Sequence, residues 1–513
     1  MAIAGTQSPE PPTDPTGDPT RAIDTRGRTL REFAAHGVIV NSLFDAGLSG
    51  LSLLRGLILA AILSRSAYGL WGVLVVSLGV LARLKVVGIS DKYIQQREQD
   101  QELAFQRAAT LEIAMTLAAT VPMVAALPVI AVIYGHWSLI APGAVLVTVL
   151  LADALQSPLW IYYRRMDFVR QRLQAAVEPI VGFVVAIVLA ALGAGYWALA
   201  GGVVAGAWAG AAIAIRMSPY PLRWRYDRGA LKVYASFSGP IFLATACSVL
   251  LANVTAIATN AHLSLAGVGA VALAGNITAF TTRIDDLVST TIYPVICAVQ
   301  DRLDLLRESF VKSNRLALMW AMPFGVGLGL FAPDLVRFAL GEKWHAAVVL
   351  LQVTGVAAGI THVGFNWDDY FRARSDTRPI AVSSVLTTIA TLGTGIPLLF
   401  VDGLTGLAIG IGAGCAVTLA VRAWYLARLF EGFRFVSHAA RAVLPTAPAV
   451  AVVLLARLAE PRHRTAAIAI AELAGYIAVT IAATWFFERG LLREAIDYAL
   501  ARGRRATAPA SGT

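Results

Sequence analysis

Fourteen apolar stretches, each long enough to cross a bilayer, follow one another along the chain with short loops between them. They cover residues 37–63, 69–90, 108–134, 137–158, 172–193, 195–216, 234–259, 265–297, 312–332, 345–365, 380–400, 403–430, 440–459 and 465–487. A membrane helix needs about 20 mostly apolar residues to span a hydrocarbon core about 30 Å thick. Inside that core each segment must satisfy its own backbone N–H and C=O groups, so a chain of this pattern folds as a bundle of helices. The stretches at 108–134, 265–297 and 403–430 exceed the minimum and predict tilt or extension into the interface. The expected fold class is an all-α polytopic membrane protein with about fourteen transmembrane helices.

The basic residues fall on alternate loops. Of the 42 Lys and Arg residues, 32 are assigned to the even-numbered loops, with the helix ends that adjoin them, and to the two tails. Six lie in the odd loops (Arg65, Arg337, Lys343, Arg457, Arg462 and Arg464), and four lie inside helices (Arg55, Arg83, Lys85 and Arg283). The positive-inside rule then places both termini and the even loops in the cytoplasm. The expected location is a bacterial inner membrane, crossed many times. Arg457 to Arg464 run against the bias, which makes the last two helices the weakest part of the count. Only 14% of residues are charged, against roughly 25% in a soluble domain. The net charge of +10 reads as loops facing anionic lipid, not as a nucleic-acid patch. Cys247, Cys297 and Cys415 all sit in apolar segments and form no CxxC pair or disulfide framework. The stretch SPEPPTDPTGDPT at 8–20 predicts a disordered cytoplasmic tail over 1–34, and no apolar core of a cleavable signal peptide precedes the first span.

A weak two-fold repeat runs through the sequence. A shift of 200 residues lays Gly69 on Gly269 and Arg83 on Arg283. A shift of 207 lays Trp160, Tyr163 and Arg165 on Trp367, Tyr370 and Arg372. A shift of 208 lays Gly195, Gly202 and Gly206 on Gly403, Gly410 and Gly414. The expected organisation is an N-terminal six-helix lobe at 35–216, a basic linker at 217–233 and a second six-helix lobe at 234–432. Two further helices follow at 433–490, and a cytoplasmic tail at 491–513. Six helices per half is an even number, so the halves are parallel repeats around a central cavity, as in transporters.

Ionisable side chains at membrane depth are costly and mark function by default. Asp45 and Arg55 fall in helix 1, ten residues and about 15 Å apart along the axis. Arg83 falls in helix 2, and Arg283, Asp285 and Asp286 in helix 8. If the repeat holds, Arg83 and Arg283 occupy matching places and converge on the cavity. Paired guanidinium groups suit a phosphate or pyrophosphate, because each presents a planar fork of donors. Structural readings compete with this one. Lys85 can snorkel to the interface. Arg283 can pair with Asp286 one turn on. Asp45 and Arg55 can lie nearer the helix ends, His36 can flank helix 1, and Asn41, Asn253, Asn260 and Asn276 can join helices by hydrogen bonds. The chain has no Walker A loop, no GxGxxG after a strand, no HExxH and no nucleophile elbow. No cofactor and no catalytic residue is expected.

Four segments carry a family resemblance. They are LSRSAYGLWGVLVVSLGVLARLKVVGISDKYIQQRE (63–98), SPLWIYYRRMDFVRQ (157–171), TTIYPVICAVQDRLDLLRESFVKSNRL (290–316) and FAPDLVRFALGEKWHAAVVLLQV (331–353). The last, with its G-x-x-W-x-x-A turn, is the most specific. Together they resemble the Wzx-type polysaccharide flippases of the multidrug/oligosaccharidyl-lipid/polysaccharide (MOP) exporter superfamily. The likeness covers roughly 35–430. Ser66 stands where the family often has Pro, and the last two helices match no family motif. The lipid-carrier branch uses cationic residues on helices 1, 2 and 8, which by position implies Arg55, Arg83 and Arg283 here, with Asp45 and Asp286 beside them. The implied activity is translocation of an undecaprenyl-pyrophosphate-linked oligosaccharide from the cytoplasmic to the outer leaflet by alternating access, for exopolysaccharide or O-antigen synthesis. The implied partners are membrane lipids, a coupling H⁺ or Na⁺, and glycosyltransferases and a polymerase of the same pathway. Three readings stay open beside it: a cation-coupled multidrug or metabolite exporter of the same superfamily, a peptidoglycan-precursor flippase, and a membrane-embedded enzyme or assembly protein.

Overall fold

The computed structural model describes residues 88–134, 136–458 and 464–506, together with helical positions scattered through 40–62. Every regular element among the described residues is a helix. Ten helices are long and apolar enough to cross a membrane, and two shorter apolar helices, Gly267–Thr282 and Ala447–Leu458, stand beside them. The expected span at 69–90 lies almost wholly outside the described residues. In chain order the elements are α1 (positions of 40–62), α2 (Ile89–Gln95), α3 (Gln101–Tyr134), α4 (Ile140–Leu155), α5 (Leu159–Arg164), α6 (Phe168–Ala175), α7 (Val177–Ala191) and α8 (Trp197–Arg216). After them come α9 (Arg228–Thr278), α10 (Arg283–Ala298), α11 (Leu303–Leu335), α12 (Val348–Thr361), α13 (Trp367–Ala373), α14 (Arg378–Asp402) and α15 (Leu404–Leu429). The last are α16 (Phe435–Val443), α17 (Ala447–Leu458) and α18 (Ala466–Ala506).

Loop contacts sort the helix ends onto two faces. On one face α2, α5 and α13 gather around α2 with the end of α10. These are the even loops of the sequence, so this is the basic face. On the other, the His262 and Phe400 rings lie 5.1 Å apart and Gly269 faces Trp344. Helical bonding runs unbroken over the 51 residues of α9. A straight helix of that length would measure about 77 Å at 1.5 Å per residue, over twice the bilayer core. The contacts show that α9 does not run straight. Phe237 accepts a hydrogen bond from Thr377 at the basic face, His262 reaches the opposite face, and Thr278 is back at mid-depth against Thr354 (3.0 Å). The chain therefore turns back near 263–267, between the stretches at 234–259 and 265–297.

Packing divides the long helices into two groups: α3, α4, α7 and α8 pack together, as do α9, α11, α12, α14 and α15. Helices α16 to α18 lean on the second group through α11. Each group holds a seam of small residues. A Cβ on Gly202 or Gly206 of α8 would overlap the α7 backbone at Gly182 or Glu178. A Cβ on Gly410 or Gly414 of α15 would overlap α14 at Gly395 or Thr391. Close backbone approach of this kind is how helices gain packing energy in lipid, where apolar burial alone drives little association. The same glycines match at the offset of 208 in the sequence.

The turns after α5 and α13 are also alike. Met166 (φ 56°) and Ser375 (φ 61°) both take the left-handed conformation. Asp167 N–H then bonds Tyr162 O (2.9 Å), and Asp376 N–H bonds Phe371 O (3.0 Å). The turn geometry pairs residues 209 apart, not 207, so Tyr163 corresponds to Arg372. The aromatic and arginine matches seen at 207 are shifted by two positions, because the left-handed residue, not side-chain identity, fixes where the chain turns.

Candidate functional site

The two groups of helices meet at the basic face. One continuous core there takes Tyr93, Phe105 and Ile161 from the first half and Tyr293, Phe310, Tyr370 and Phe430 from the second. Burying such large rings is worth about 1.5–3 kcal/mol each, so this floor is a substantial clamp. Polar bonds cross it. Arg372 of α13 donates to Asp91 of α2 (3.0 Å) and to Asp368 on its own helix, with Asp369 3.6 Å away. Tyr293 of α10 donates to the Asp91 carbonyl (3.2 Å). Lys92 donates to Ser375 (2.7 Å), and its ammonium sits 5.5 Å from the Phe237 ring centre. The amides of Gln95 and Gln300 meet at 3.0 Å, and Arg97 pairs with Asp301. Gly88, at φ 77°, precedes α2, and a Cβ there would stand 2.8 Å from the Ile241 side chain. These bonds tie α2 to α10 and α13 across the basic face.

A second network lies one layer in. Asn41 of α1 donates to Thr291 of α10 (2.8 Å) and accepts from Arg172 of α6 (2.7 Å). Arg172 also pairs with Asp45 (3.0 Å). Asp45 thus faces Arg172, the first residue of the stretch at 172–193. Arg55 is half-buried, with Nη1 3.9 Å from where a Cβ on Gly182 would stand. Arg83, Lys85 and His36 lie outside the described residues. Arg283 opens α10 immediately after a 3₁₀ turn at Ala279–Thr282, so helix 8 is broken where its charges begin. Nothing is described of the Arg283 and Asp286 side chains. Asp285 is buried beside His362, Oδ2 to Nε2 2.5 Å. Arg422, inside α15, donates to the Thr361 carbonyl and lines a polar cavity of about 280 Å³ with Ser383, Thr387, Thr418 and Asp368.

At the opposite face Arg457 and Arg464 bracket two buried carboxylates, Asp334 of α11 and Glu472 of α18. Arg464 reaches Asp334 Oδ2 at 2.8 Å and Glu472 Oε2 at 2.7 Å. Arg457 and Arg464, two of the basic residues that ran against the charge bias, are neutralised in place. Below this cluster, between α11 and α18, runs an apolar groove of about 790 Å³, lined by Phe324, Leu328, Phe331, Leu473 and Ile477 among others.

The sequence is similar over residues 58–349, more than half the chain, to the family described as polysaccharide biosynthesis protein. Among curated proteins, none matches. The fold resembles solved transporters. A mutant MATE protein aligns at TM-score 0.65 and 15% identity, covering 78% of this chain and 98% of its own. An outward-facing multidrug resistance MATE family transporter of the MOP superfamily aligns at 0.63 and 17%, covering 82% and 99%. A MOP superfamily transporter from Pyrococcus furiosus, described as having a binding pocket of reverse polarity, aligns at 0.64 and 17%, also covering 82% and 99%. The chain is thus a multi-pass membrane protein that belongs to the polysaccharide biosynthesis protein family and carries the fold of the MOP-superfamily transporters.

Proposed function

We propose that the protein is a flippase that carries an oligosaccharide linked to undecaprenyl pyrophosphate from the cytoplasmic to the outer leaflet of a bacterial inner membrane. The observation that carries this reading is the apolar groove beside the second group of helices. An apolar groove of that volume suits part of a polyprenyl tail, because the sugar head must cross while the tail stays in hydrocarbon. The head group cannot cross lipid unaided, since its charge and hydroxyls would lose their water. The lobes at 35–216 and 234–432, joined by the linker at 217–233, would rock about the cavity and open it to each side in turn. The helices at 433–490 would form the far wall of the tail groove.

In this reading the basic face is cytoplasmic. The described conformation, tied together there, would be the outward-facing one. Arg55, Arg83 and Arg283 would hold the pyrophosphate, and Asp45 and Asp286 would set the position of the helices that bear them. Arg83→Ala or Arg283→Ala should abolish transport with membrane insertion intact, and Lys85→Ala should be mild. Normal export by both arginine variants would sink the assignment. The membrane potential, inside negative, favours outward movement of an anionic head by about 2.3 kcal/mol per charge per 100 mV.

The test is lipid extraction from a deletion strain whose glycosyltransferases are intact. Accumulation of a polyprenyl-pyrophosphate oligosaccharide, with loss of surface polysaccharide, is expected. Unchanged polysaccharide with no accumulated intermediate, in a strain with no second flippase, would turn the reading to a cation-coupled exporter.

A further inference from the structure

The closure at the basic face carries more acid than base. Three carboxylates, Asp91, Asp368 and Asp369, surround the one guanidinium of Arg372. Arg372 gives its two short contacts to Asp91 and Asp368, so Asp369, at 3.6 Å, is left with the poorest share of the positive charge. It is also the most enclosed of the three: its side chain is 7% exposed, against 23% for Asp91 and 28% for Asp368. We propose that Asp369 is a proton-binding site, filled while the two lobes are closed over the basic face and emptied when they part. The inference rests on the alternating-access reading above and names the coupling ion for it.

Among the described residues, the surroundings of Asp369 supply no other counter-charge. From its own helix it meets Asp368 and Arg372. From α2 it meets Asp91, while Lys92 is turned to Ser375, Gln95 and the Phe237 ring. From α10 it meets Ser289, which donates it a hydrogen bond, and the region of Tyr293 and Cys297. From α5 it meets Tyr163, a neutral phenol, and beyond that Arg172 is committed to Asp45 and Asn41. Arg422 of α15 acts on Asp368, not on Asp369. Burial, and next the charge of Asp368, push the Asp369 carboxyl up to about 7. When the lobes part, water returns to the group and its proton affinity falls to that of an ordinary carboxylate, about 3.9.

The sign follows by linkage. The closed state has the higher pKa, so the proton favours closure. That preference is complete below about pH 4, weakens as pH rises, and is gone above about pH 7. Between those limits the closed-to-open ratio should fall by up to tenfold per pH unit, the slope of one bound proton. An alkaline cytoplasm would therefore release the latch, and protonation would reset it.

The experiment uses the full chain in lipid nanodiscs, with its three cysteines replaced by alanine and spin labels at Val169→Cys and Leu303→Cys. Both sites are exposed, one on each half of the basic face. Distance distributions from pH 5 to 9 report the closed fraction without any cargo. The closed fraction should fall from pH 5 to 7 and level off above. Asp369→Asn should remain closed and lose the pH dependence, while Asp376→Asn, an exposed carboxylate on the same loop, should keep it. Asp91→Asn removes one like charge and should move the transition to lower pH. A flat profile in the parent protein, an unchanged slope in Asp369→Asn, or no shift in Asp91→Asn would overturn the proposal. None of these results depends on what the cargo is, so the lipid-extraction test and this one fail separately.

Discussion

Arg464 shows what a charge does here when it has no cavity to serve. Its guanidinium touches both Asp334 and Glu472, whose side chains are only 10% and 8% exposed. Removing one partner of a buried ion pair strands the other in a poor solvent, at a cost of about 3–5 kcal/mol. Arg464→Ala should lower stability by an amount of that order, read as a drop in thermal midpoint in detergent. A triple change of Arg464, Asp334 and Glu472 to apolar residues should recover much of it, since no charge is left unpaired. A midpoint unchanged in Arg464→Ala would show that water already satisfies the cluster. From sequence these arginines only weakened the charge bias, because their partners lie 130 and 8 residues away. Asp91 and Asp369 were invisible, and Arg372 showed only as a repeat match, for a related reason: each sits in a charged loop, and only packing shows which of its charges are enclosed.

At the scale of elements, the small-residue seams decide which helices can sit side by side. Gly410 stands where a Cβ would overlap the Gly395 backbone, and nothing lies within 4 Å of a Cβ at Gly412 on the same helix. Gly410→Val should therefore push α14 and α15 apart and cost at least about 1–3 kcal/mol, the range for overpacking a tight interior. Gly412→Ala should be neutral or slightly stabilising, since alanine favours helix. Equal thermal midpoints for the two variants would remove the seam from the argument. Helix existence was legible in the apolar runs, because lipid leaves a backbone no other option. The break before Arg283 was not. The 3₁₀ turn at Ala279–Thr282 carries no Gly or Pro to announce it, and it is imposed by packing, with Trp320 donating to the Phe280 carbonyl (2.9 Å). The repeat was legible in order but not in register, as the turns at Met166 and Ser375 make plain.

For the whole molecule, the question is whether the last two helices serve transport or merely decorate the bundle. No motif in them matched a family, yet α18 forms one wall of the apolar groove, and the Arg457–Arg464 cluster pins that wall to α11. If the groove holds the polyprenyl tail, its occupation should matter only for a tail long enough to reach it, through packing contacts and not through escape from water, since the tail otherwise lies in hydrocarbon. Ile477 lines the groove and is half exposed, so Ile477→Trp should fill the space without disturbing the core. In proteoliposomes the variant should translocate a long-chain glycolipid about tenfold more slowly, a loss of about 1.4 kcal/mol. A short-chain analogue with the same head group, which never reaches the groove, should move at the parent rate. An equal loss for both analogues would mean that tryptophan disturbs the helices themselves. No loss for either would place the tail elsewhere, in the bilayer alone, and leave the appended helices without a part in carrying the lipid.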